Sequence, residues 1–495
     1  MKNPPPFHIP ANGLPHQTIL AQLAAKKSGD ANWRSGRIWS MVYFVNDAHL
    51  HLMEEASKLF LSENQLNPLA FQSLLNIERE LVGMAAGLLH GDEATTGVFT
   101  SGGTESIMLA LYAYRELARR QKRFGSGALE IVVPQSIHPV FEKAAHLLDL
   151  KVRKAPVGAD FQADPKAIEK LITRRTILLA ASAPTYPHGV LDPIEDIAAI
   201  ARKHRLPLHI DACLGGFMLP WVERLGYPVA PWDFRVPEVT SISADWHKFG
   251  YGIKGASVIL YRDMALMRNQ FFVSTDWSGG IYASRALMGS RSGSTLAAAW
   301  AAVYALGETG YLDLARQLME GCQKLRNLLE TLPEIEVLGN PCMSALAYRT
   351  KQGKPDLFIL AEAMESRGWF LDRQHLPDSI HLTLMPHHLP HLDAYINDLK
   401  AVLLTLKDQP AQLSENAAFY GLAARIPFRN LVKREVLRML ESMHTAPAEK
   451  DSVKKQLSWK SETSEAKTDA ALEKPAGWKT RLIQRLLYFW SYKKF

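Results

Sequence analysis

Short apolar runs alternate with amphipathic segments along the chain from about residue 90 onward. The apolar runs read "TGVFT", "LEIVVP", "TILLAASAP", "LPLHIDA" and "ASVILYR", and the segments between them include "ESIMLALYAYRELARR", "HPVFEKAAHLLDL" and "DIAAIARKH". Apolar runs of this length are typical of buried strands, whereas the longer segments have helical spacing. Their alternation predicts an α/β fold with a mostly parallel sheet and helices on both faces.

The pattern changes along the chain, and the changes predict five parts. Residues 1–89 form an N-terminal arm and helical segment, residues 90–310 a large domain that holds the sheet, and residues 311–443 a smaller C-terminal α+β domain with trailing helices. Residues 444–476 are rich in Lys, Glu, Ser, Thr and Ala and have few apolar residues, which predicts a flexible linker. Residues 477–495 form a basic tail.

The tail reads "GWKTRLIQRLLYFWSYKKF" and carries five basic residues, six aromatic residues and no acidic residue. A helical arrangement places its Leu, Ile, Phe and Trp side chains on one side, with Arg481 and Arg485 opposite. This pattern is typical of a helix that lies in a membrane interface. A helix packed on this protein or on a partner subunit has the same pattern. We therefore expect either peripheral membrane contact or protein packing through residues 477–495.

Composition excludes several classes of protein. The chain has 495 residues, of which 47% are hydrophobic and 22% charged, as in ordinary globular proteins. Three cysteines without paired spacing argue against a disulfide framework or a zinc site. The net charge of +7 is spread thinly before the tail, so nucleic-acid binding has little support. The N-terminal "MKNPPPFHIPANG" has no signal-peptide core, and the longest apolar stretch is too short for a membrane span. These features predict a cytoplasmic location.

The stretch "FTSGGTES" (99–106) ends a predicted strand and opens a predicted helix. Its glycines allow a tight turn, and the free N–H groups that follow Gly103 and Thr104 attract a phosphate. Taken alone, this stretch is better explained as a purely structural glycine-rich turn.

Two further residues lie where chemistry is expected. Asp211 ends the apolar strand "LPLHIDA", and ligands of parallel α/β sheets bind at the carboxyl ends of the strands. A buried carboxylate there needs a cationic partner, such as a protonated pyridine nitrogen. Lys248 follows another strand in "SADWHKFGYGIKG", with Ser243 and His247 beside it as phosphate ligands. A partly desolvated lysine is expected to have a depressed pKa and to act as an amine nucleophile toward an aldehyde. Taken singly, Asp211 is also explained as a loop residue and Lys248 as a surface lysine.

The order of these elements is more informative than any one of them. A glycine turn, a histidine that can stack (His138), a strand-end aspartate and Ser-x-x-x-His-Lys follow one another along the chain. Together they are the parts of a pyridoxal phosphate site, in which the protein orients the cofactor.

The motifs "TSGGTESIMLALYAYRE", "SAPTYPHGVLDPIEDI", "HIDACLGGF", "SADWHKFGYGIKGASVILY" and "TDWSGGIYASRALMGSR" closely resemble the sphingosine-1-phosphate lyases. "NWRSGR", "ESRGWFLD" and "AFYGLAARI" extend the resemblance over residues 30–443. It implies the fold-type I transferase fold of the group II decarboxylase-like pyridoxal phosphate enzymes, with a seven-stranded, mostly parallel sheet.

The resemblance also implies roles for residues at matching positions. Lys248 would bind the cofactor covalently, Asp211 would pair with the pyridine nitrogen, and His138 would stack on the ring. The cofactor phosphate would be held by Gly103, Thr104, Ser243 and His247. The substrate phosphate would be bound by Lys254, Asn64, Asn67 and Tyr43. Tyr43 and Tyr186 would also contact the substrate or take part in catalysis.

The activity implied by the resemblance is cleavage of the C2–C3 bond of a phosphorylated sphingoid base, giving phosphoethanolamine and a long-chain aldehyde. Tyr186, Tyr43 or a phosphate oxygen would take the proton of the substrate's 3-hydroxyl group. The family's partner is a second copy of the chain, so a homodimer with shared active sites is expected. The alternatives are a group II amino-acid decarboxylase and a catalytically silent lipid-binding relative.

The chain departs from the family pattern at several positions. The family usually reads "NPLHPDVF" where this chain has "NQLNPLAF" (64–71), so Asn67 stands at the position of a histidine near the substrate. Asparagine can hydrogen-bond a phosphate but cannot donate a titratable proton. Trp246 replaces a threonine before His247, and we expect it to fill core volume rather than to reshape the pocket.

Overall fold

The computed structural model describes residues 8–121, 127–408 and 429–444. The predicted tail, nearly all of the predicted linker and the motif "AFYGLAARI" lie outside these residues. The chain divides into two compact units, one of residues 33–354 and 367–401, the other of residues 1–32, 355–366 and 402–495. Among the described residues, no helix is long and apolar enough to cross a membrane.

Helices and strands alternate through the larger unit, as the apolar pattern predicts. In chain order the described helices are α1 (His16–Lys26), α2 (Asp47–Leu59), α3 (Gln72–Leu88), α4 (Gly103–Gln121), α5 (Val140–Leu147), α6 (Pro165–Leu171), α7 (Ile194–His204), α8 (Leu219–Arg224), α9 (Met264–Met267), α10 (Ser294–Glu330), α11 (Leu357–Glu365), α12 (Leu392–Asp408) and α13 (Arg429–His444). The strands are β1 (Thr96–Thr100), β2 (Leu129–Pro134), β3 (Leu150–Ala155), β4 (Thr176–Ser182), β5 (Leu208–Asp211), β6 (Val239–Ala244), β7 (Ser257–Tyr261), β8 (Phe272–Trp277), β9 (Gly280–Ser284), β10 (Ile335–Val337), β11 (Ala345–Thr350), β12 (Asp372–Gln374) and β13 (Ser379–Thr383).

A seven-stranded sheet in the order β1-β7-β6-β5-β4-β2-β3 forms the centre of the larger unit. β2 to β6 pair in parallel, and only β7 runs antiparallel to its neighbours β6 and β1. Every residue of β4, β5 and β7 is buried, which explains why these strands appear in the sequence as continuous apolar runs. The predicted fold class, with a mostly parallel seven-stranded sheet, is confirmed.

The apolar faces of α4 and α5 pack on this sheet. Ile107 and Leu111 of α4, Phe141 of α5, and Ile131 and Leu178 of the sheet belong to one buried cluster. Because the apolar residues of α4 recur at helical spacing, one side of the helix is buried and its basic C-terminal residues stay near solvent. The packing fixes the beginning of α4 against the sheet.

A second sheet in the order β10-β11-β13-β12 is antiparallel throughout, and it lies in the predicted C-terminal domain. α10 joins the two sheet regions and is interrupted at Gly307, whose φ of 55° is not helical. The predicted boundary between residues 310 and 311 falls inside α10, and the five-part domain division stays a prediction.

The smaller unit contains three complete described helices. None of the residues of α1 is buried, and its apolar Leu20 and Leu23 are more than half exposed. α11 is apolar for most of its length and is capped at its N-terminus by Asp356, whose carboxylate accepts a hydrogen bond from the backbone N–H of Phe358. α13 combines charged residues with apolar ones, and its Val436, Leu437 and Leu440 side chains are exposed. This unit contains none of the predicted site residues.

The topology brings several strand ends to one edge of the large sheet. β4, β5 and β6 are parallel, so Ser182, Asp211 and Ala244 end at the same edge. β1 runs in the same direction, because it is antiparallel to β7, which is itself antiparallel to β6. The turn before α4 and the segment that contains Lys248 therefore meet at this edge.

Candidate active site

Lys248 follows β6, and its ammonium lies 3.0 Å from Oδ2 of Asp245. Burial of the ammonium lowers the pKa of Lys248, but the negative charge of Asp245, with smaller contributions from other groups such as Asp211, outweighs burial and raises this pKa above its usual value. The expected depressed pKa is therefore wrong for the chain alone. Asp245 was not among the predicted residues, although its spacing three residues before Lys248 brings the two side chains together.

His247 lies between Asp245 and the glycine turn. Its Nε2 is 3.6 Å from Oδ2 of Asp245, and its Nδ1 accepts a hydrogen bond from the backbone N–H of Ala256. A Cβ atom built on Gly102 would lie 3.6 Å from Cε1 of His247. The structure therefore places His247 beside the turn that was predicted to bind phosphate.

The turn itself requires glycine. Gly102 has a φ of 148°, and a Cβ on Gly103 would lie 2.7 Å from Sγ of Cys213 and 2.9 Å from Oδ1 of Asp245. α4 begins at Gly103, so the N–H groups of Gly103, Thr104 and the next residues have no partner within the helix. Glu105, which sequence reasoning missed, accepts hydrogen bonds from the N–H groups of Ser101 and Leu287 and so fixes the turn.

Asp211 and His138 lie at the same edge of the sheet. Asp211 is buried at the end of β5, and its Oδ1 accepts a hydrogen bond from the N–H of Cys213. His138 follows β2, and its Nδ1 accepts a hydrogen bond from the N–H of Val140. Desolvation by the surrounding protein lowers the pKa of His138, with the charges of Asp211 and Lys248 acting in opposite directions. A neutral imidazole ring suits stacking against another aromatic ring.

Ser243 is fully buried in β6. Its Oγ accepts a hydrogen bond from Sγ of Cys213 and lies 3.3 Å from Nε2 of His209. The hydroxyl thus contacts two buried side chains, those of Cys213 and His209. The role of Ser243 as a phosphate ligand stays a prediction.

Tyr43 and Lys254 lie next to each other and near Lys248. The Nζ atom of Lys254 is 4.8 Å from the centroid of the Tyr43 ring, whose edge packs on Phe249. Burial lowers the pKa of Lys254 to about 8, and the positive charge of Lys248 acts in the same direction. Burial raises the pKa of Tyr43 to about 12 although the charge of Lys248 opposes it. Tyr43, Lys248 and Lys254 thus form one group of neighbouring side chains whose charges shift one another's pKa.

Tyr186 reaches the same group from the loop after β4. Its hydroxyl donates a hydrogen bond of 2.9 Å to Oδ2 of Asp372, which lies 186 positions further along the chain. Burial raises the pKa of Tyr186 well above its usual value, and Asp372 raises it further. Asp372 was missed because only the tertiary structure brings β12 next to this loop.

Asn64 and Asn67 are not brought to this group within the chain. The Asn64 side chain donates a hydrogen bond to Oγ of Ser290 and accepts one from the N–H of Arg291. Oδ1 of Asn67 accepts hydrogen bonds from the N–H groups of Leu69 and Ala70. Both asparagines order the segment around residues 64–70 locally, and their substrate roles stay predictions.

Trp246 is buried and stacks on Phe217 with ring centroids 3.7 Å apart. This contact supports the expectation that the ring fills core volume. Trp246 therefore adds apolar packing to the core next to His247.

The residues at this edge fit a pyridoxal phosphate group. Oδ1 of Asp245 is buried without a hydrogen-bond partner among the described residues, and the space where a Cβ of Gly103 would lie is already occupied. The turn and His247 supply donors for a phosphate, Lys248 supplies an amine, and Asp211 supplies a carboxylate for a ring nitrogen. When bound, this cofactor acts as an electron sink for carbanion chemistry.

Fold and site together define a pyridoxal-phosphate-dependent enzyme. The family described as "Pyridoxal-dependent decarboxylase conserved domain" matches residues 70–351. A solved Lactobacillus brevis glutamate decarboxylase shares the fold, with a TM-score of 0.72 and 20% identity over 83% of this chain and 97% of the other.

Nearer relatives narrow the class. The chain is 37% identical to the sphingosine-1-phosphate lyase of Arabidopsis thaliana, over 88% of this chain and 81% of that one. It is also 37% identical to sphingosine-1-phosphate lyase 1 of Rattus norvegicus, over 88% and 77%. The solved Burkholderia pseudomallei sphingosine-1-phosphate lyase matches with a TM-score of 0.80 and 35% identity, over 90% of this chain and 98% of that one. The chain therefore belongs to the sphingosine-1-phosphate lyase family and is a pyridoxal-phosphate-dependent lyase.

Proposed function

We propose that this enzyme cleaves the C2–C3 bond of sphingosine 1-phosphate or a related sphingoid-base phosphate, giving phosphoethanolamine and a long-chain aldehyde. The observation that carries the proposal is the position of Lys254, a second lysine beside the site, whose pKa is lowered by desolvation and by the positive charge of nearby Lys248. A substrate that carries both an amine and a phosphate needs an electrophilic centre and a cation near it. Relatives named as sphingosine-1-phosphate lyases are similar in sequence to this chain over most of its length.

Each residue of the group has a defined task in this proposal. Lys248 holds the cofactor through its amine, and the buried Asp211 keeps the ring nitrogen protonated. His138 stacks on the cofactor ring. The cofactor phosphate is held at the turn by Gly103, Thr104, Ser243 and His247. Lys254 binds the substrate phosphate, with Tyr43 packed against its ammonium.

The proposal is tested with the purified protein loaded with pyridoxal phosphate. Sphingosine 1-phosphate is added, and both the long-chain aldehyde and phosphoethanolamine are measured. Equal amounts of the two products are expected. A loaded protein that releases carbon dioxide from an amino acid and no aldehyde from the phosphate would favour the amino-acid decarboxylase instead. Failure to bind the cofactor would favour a catalytically silent lipid-binding protein.

The alkaline side of the pH profile tests Lys254. Because burial and Lys248 lower the pKa of Lys254 to about 8, its positive charge is present below that pH and is lost above it. We expect kcat/KM for the phosphorylated substrate to fall roughly tenfold for each pH unit above about 8. Lys254→Arg is the matched control, because arginine keeps its charge and should remove this fall. The same alkaline fall in wild type and Lys254→Arg would contradict the assignment.

We further propose a homodimer in which the segment 288–294 lies near the partner's cofactor. The hairpin of β8 and β9 supports it: Phe272, Trp277 and Ile281 are each more than half exposed. Apolar side chains exposed together in this way mark an interaction surface. The loop around Asn64 is hydrogen-bonded to Ser290 in the segment that follows the hairpin.

A charge in the hairpin should separate the subunits. We expect wild type to sediment at twice the 55.3 kDa chain mass, and Ile281→Asp to sediment as a monomer with little lyase activity. Leu147→Asp is the control, because Leu147 is similarly exposed on α5, away from the hairpin, and should leave the dimer intact. A fully active Ile281→Asp monomer would refute shared active sites.

The cytoplasmic location and the membrane contact of residues 477–495 are also proposals. Their support is the amphipathic pattern of the tail and the amphiphilic substrate. Co-sedimentation with anionic vesicles should be lost when the chain is ended at residue 476. Equal binding by the shortened chain would favour protein packing for the tail.

A further inference from the structure

Tyr186 and Asp372 form a pair whose geometry goes beyond the roles assigned above. Oη of Tyr186 donates its hydrogen to Oδ2 of Asp372 at 2.9 Å. Asp372 is the first residue of β12 and lies opposite His381 of β13 in the smaller sheet. The carboxylate can only accept, so the proton of the phenol points to Asp372 and a lone pair of Oη stays free for another donor.

His381 fixes the ring of Tyr186 without competing for its proton. The two rings stack with centroids 4.2 Å apart and an interplanar angle of 29°. Nε2 of His381 lies 2.6 Å from Oγ1 of Thr383, and its Nδ1 lies 3.4 Å from the carbonyl oxygen of Pro187. Burial lowers the pKa of His381 to about 4, so the imidazole is neutral near pH 7. The charge of Asp372 is therefore not neutralised by His381.

The other tyrosine of the site has a different environment. The ring of Tyr43 lies against the ammonium of Lys254, the group proposed to bind the substrate phosphate. Tyr186 instead has a carboxylate behind its hydroxyl and lies within electrostatic range of Tyr43 and Lys248. The two phenols thus differ in what each can do with a proton. Tyr43 lies against the ammonium of Lys254. Tyr186 is hydrogen-bonded to the carboxylate of Asp372, which can accept a proton.

We propose that Tyr186 and Asp372 act as one proton-accepting pair for the 3-hydroxyl group of the substrate, with Asp372 as the final acceptor. The inference rests on the proposed function. The proton of the 3-hydroxyl passes to Oη of Tyr186, and the phenol proton passes to the carboxylate of Asp372. The electron pair of the broken O–H bond forms the aldehyde C=O bond, and the electron pair of the broken C2–C3 bond is the one for which the bound cofactor would serve as the electron sink. Asp372 is only half-buried, so it returns its proton to water after each turnover.

A double-mutant cycle tests the pair. Asp372→Asn keeps an oxygen that can accept the phenol hydrogen bond but cannot take a proton, and Tyr186→Phe removes the hydroxyl. We expect each change to lower kcat about 100-fold, the usual scale of general acid–base catalysis, with KM little changed. Because the two residues act in series, the double variant should be no slower than the slower single variant.

A second readout separates this role from a structural one. Both single variants should bind the cofactor with the wild-type visible spectrum, and that spectrum should still change when substrate is added. Tyr348→Phe is the control, because it removes a hydroxyl from the buried Tyr348–Tyr395 pair of 2.6 Å in the same region and should leave kcat unchanged. Wild-type kcat in Asp372→Asn, or a double variant as slow as the product of both losses, would overturn the pairing. A wild-type enzyme that releases no aldehyde would instead overturn the proposed function, and the pairing with it.

Discussion

Lys248→Ala is expected to abolish both the visible absorption of the lysine-bound cofactor and the lyase activity. The amine of Lys248 lies at the edge of the sheet where Asp211, His138 and the glycine turn converge, and its ammonium is held 3.0 Å from Asp245. We expect kcat to fall on the order of 10⁴- to 10⁶-fold, as is seen when a nucleophile is removed. The spectrum and aldehyde release from sphingosine 1-phosphate measure the two effects.

Lys254→Ala is the matched control for this change, because the two lysines are six positions apart and lie close enough for the charge of Lys248 to lower the pKa of Lys254. It should keep the visible absorption of the cofactor and lose mainly kcat/KM for the phosphorylated substrate. The reverse pattern, with the absorption kept in Lys248→Ala and lost in Lys254→Ala, would exchange the roles of the two lysines.

Asp211→Asn is expected to keep the cofactor bound and to slow the chemical step. Asparagine can still accept the hydrogen bond from the N–H of Cys213, so the end of β5 should keep its shape. It removes the buried negative charge that stabilises a protonated ring nitrogen. We expect kcat to fall about 10²- to 10³-fold, the scale for loss of one preorganised electrostatic contact to a reacting charge. Single-turnover aldehyde release in the loaded variant measures the loss.

A second buried aspartate provides the control for Asp211→Asn. The two oxygens of Asp192 accept hydrogen bonds from the N–H groups of Ser182 and Ala163, near the end of β4. Asp192→Asn loses one of these acceptors and should lower the free energy of unfolding by about 1–3 kcal/mol, with little change in single-turnover rate. If Asp211→Asn also changed only stability, Asp211 would be a structural residue.

The pKa of Lys248 depends on neighbouring groups, most of which only the tertiary structure brings close to it. The sequence predicts a lysine nucleophile after a strand; the structure places Lys248 just after β6, and its role as nucleophile stays a prediction. The sequence does not predict the sign of the pKa shift, because that sign depends on Asp245 at 3.0 Å and Asp211 at the neighbouring strand end as well as on burial. Electrostatic effects add over all nearby charges, and most of these are distant in sequence.

The asparagines 64 and 67 show a similar limit. A match to the family places them at substrate positions, yet in this chain their side chains order a loop through hydrogen bonds to Ser290, Leu69 and Ala70. A motif gives the residue type at a position. The direction of its side chain, and the subunit whose site it faces, depend on how the loop packs.

The sequence by itself determined the α/β class, the glycine turn, the strand-end positions of Asp211 and Lys248, and the family, whose resemblance implied the seven-stranded sheet. The class, the turn and the strand ends depend on local patterns, since a buried strand, a tight turn and a strand-end residue leave marks over fewer than about 20 adjacent positions. The tertiary structure alone brought Asp372 to Tyr186 across 186 positions, placed His381 beneath its ring and buried Ser243 among core side chains. The physical reason is that β12 and β13 share no local pattern with the loop after β4, and only the folded chain makes them neighbours.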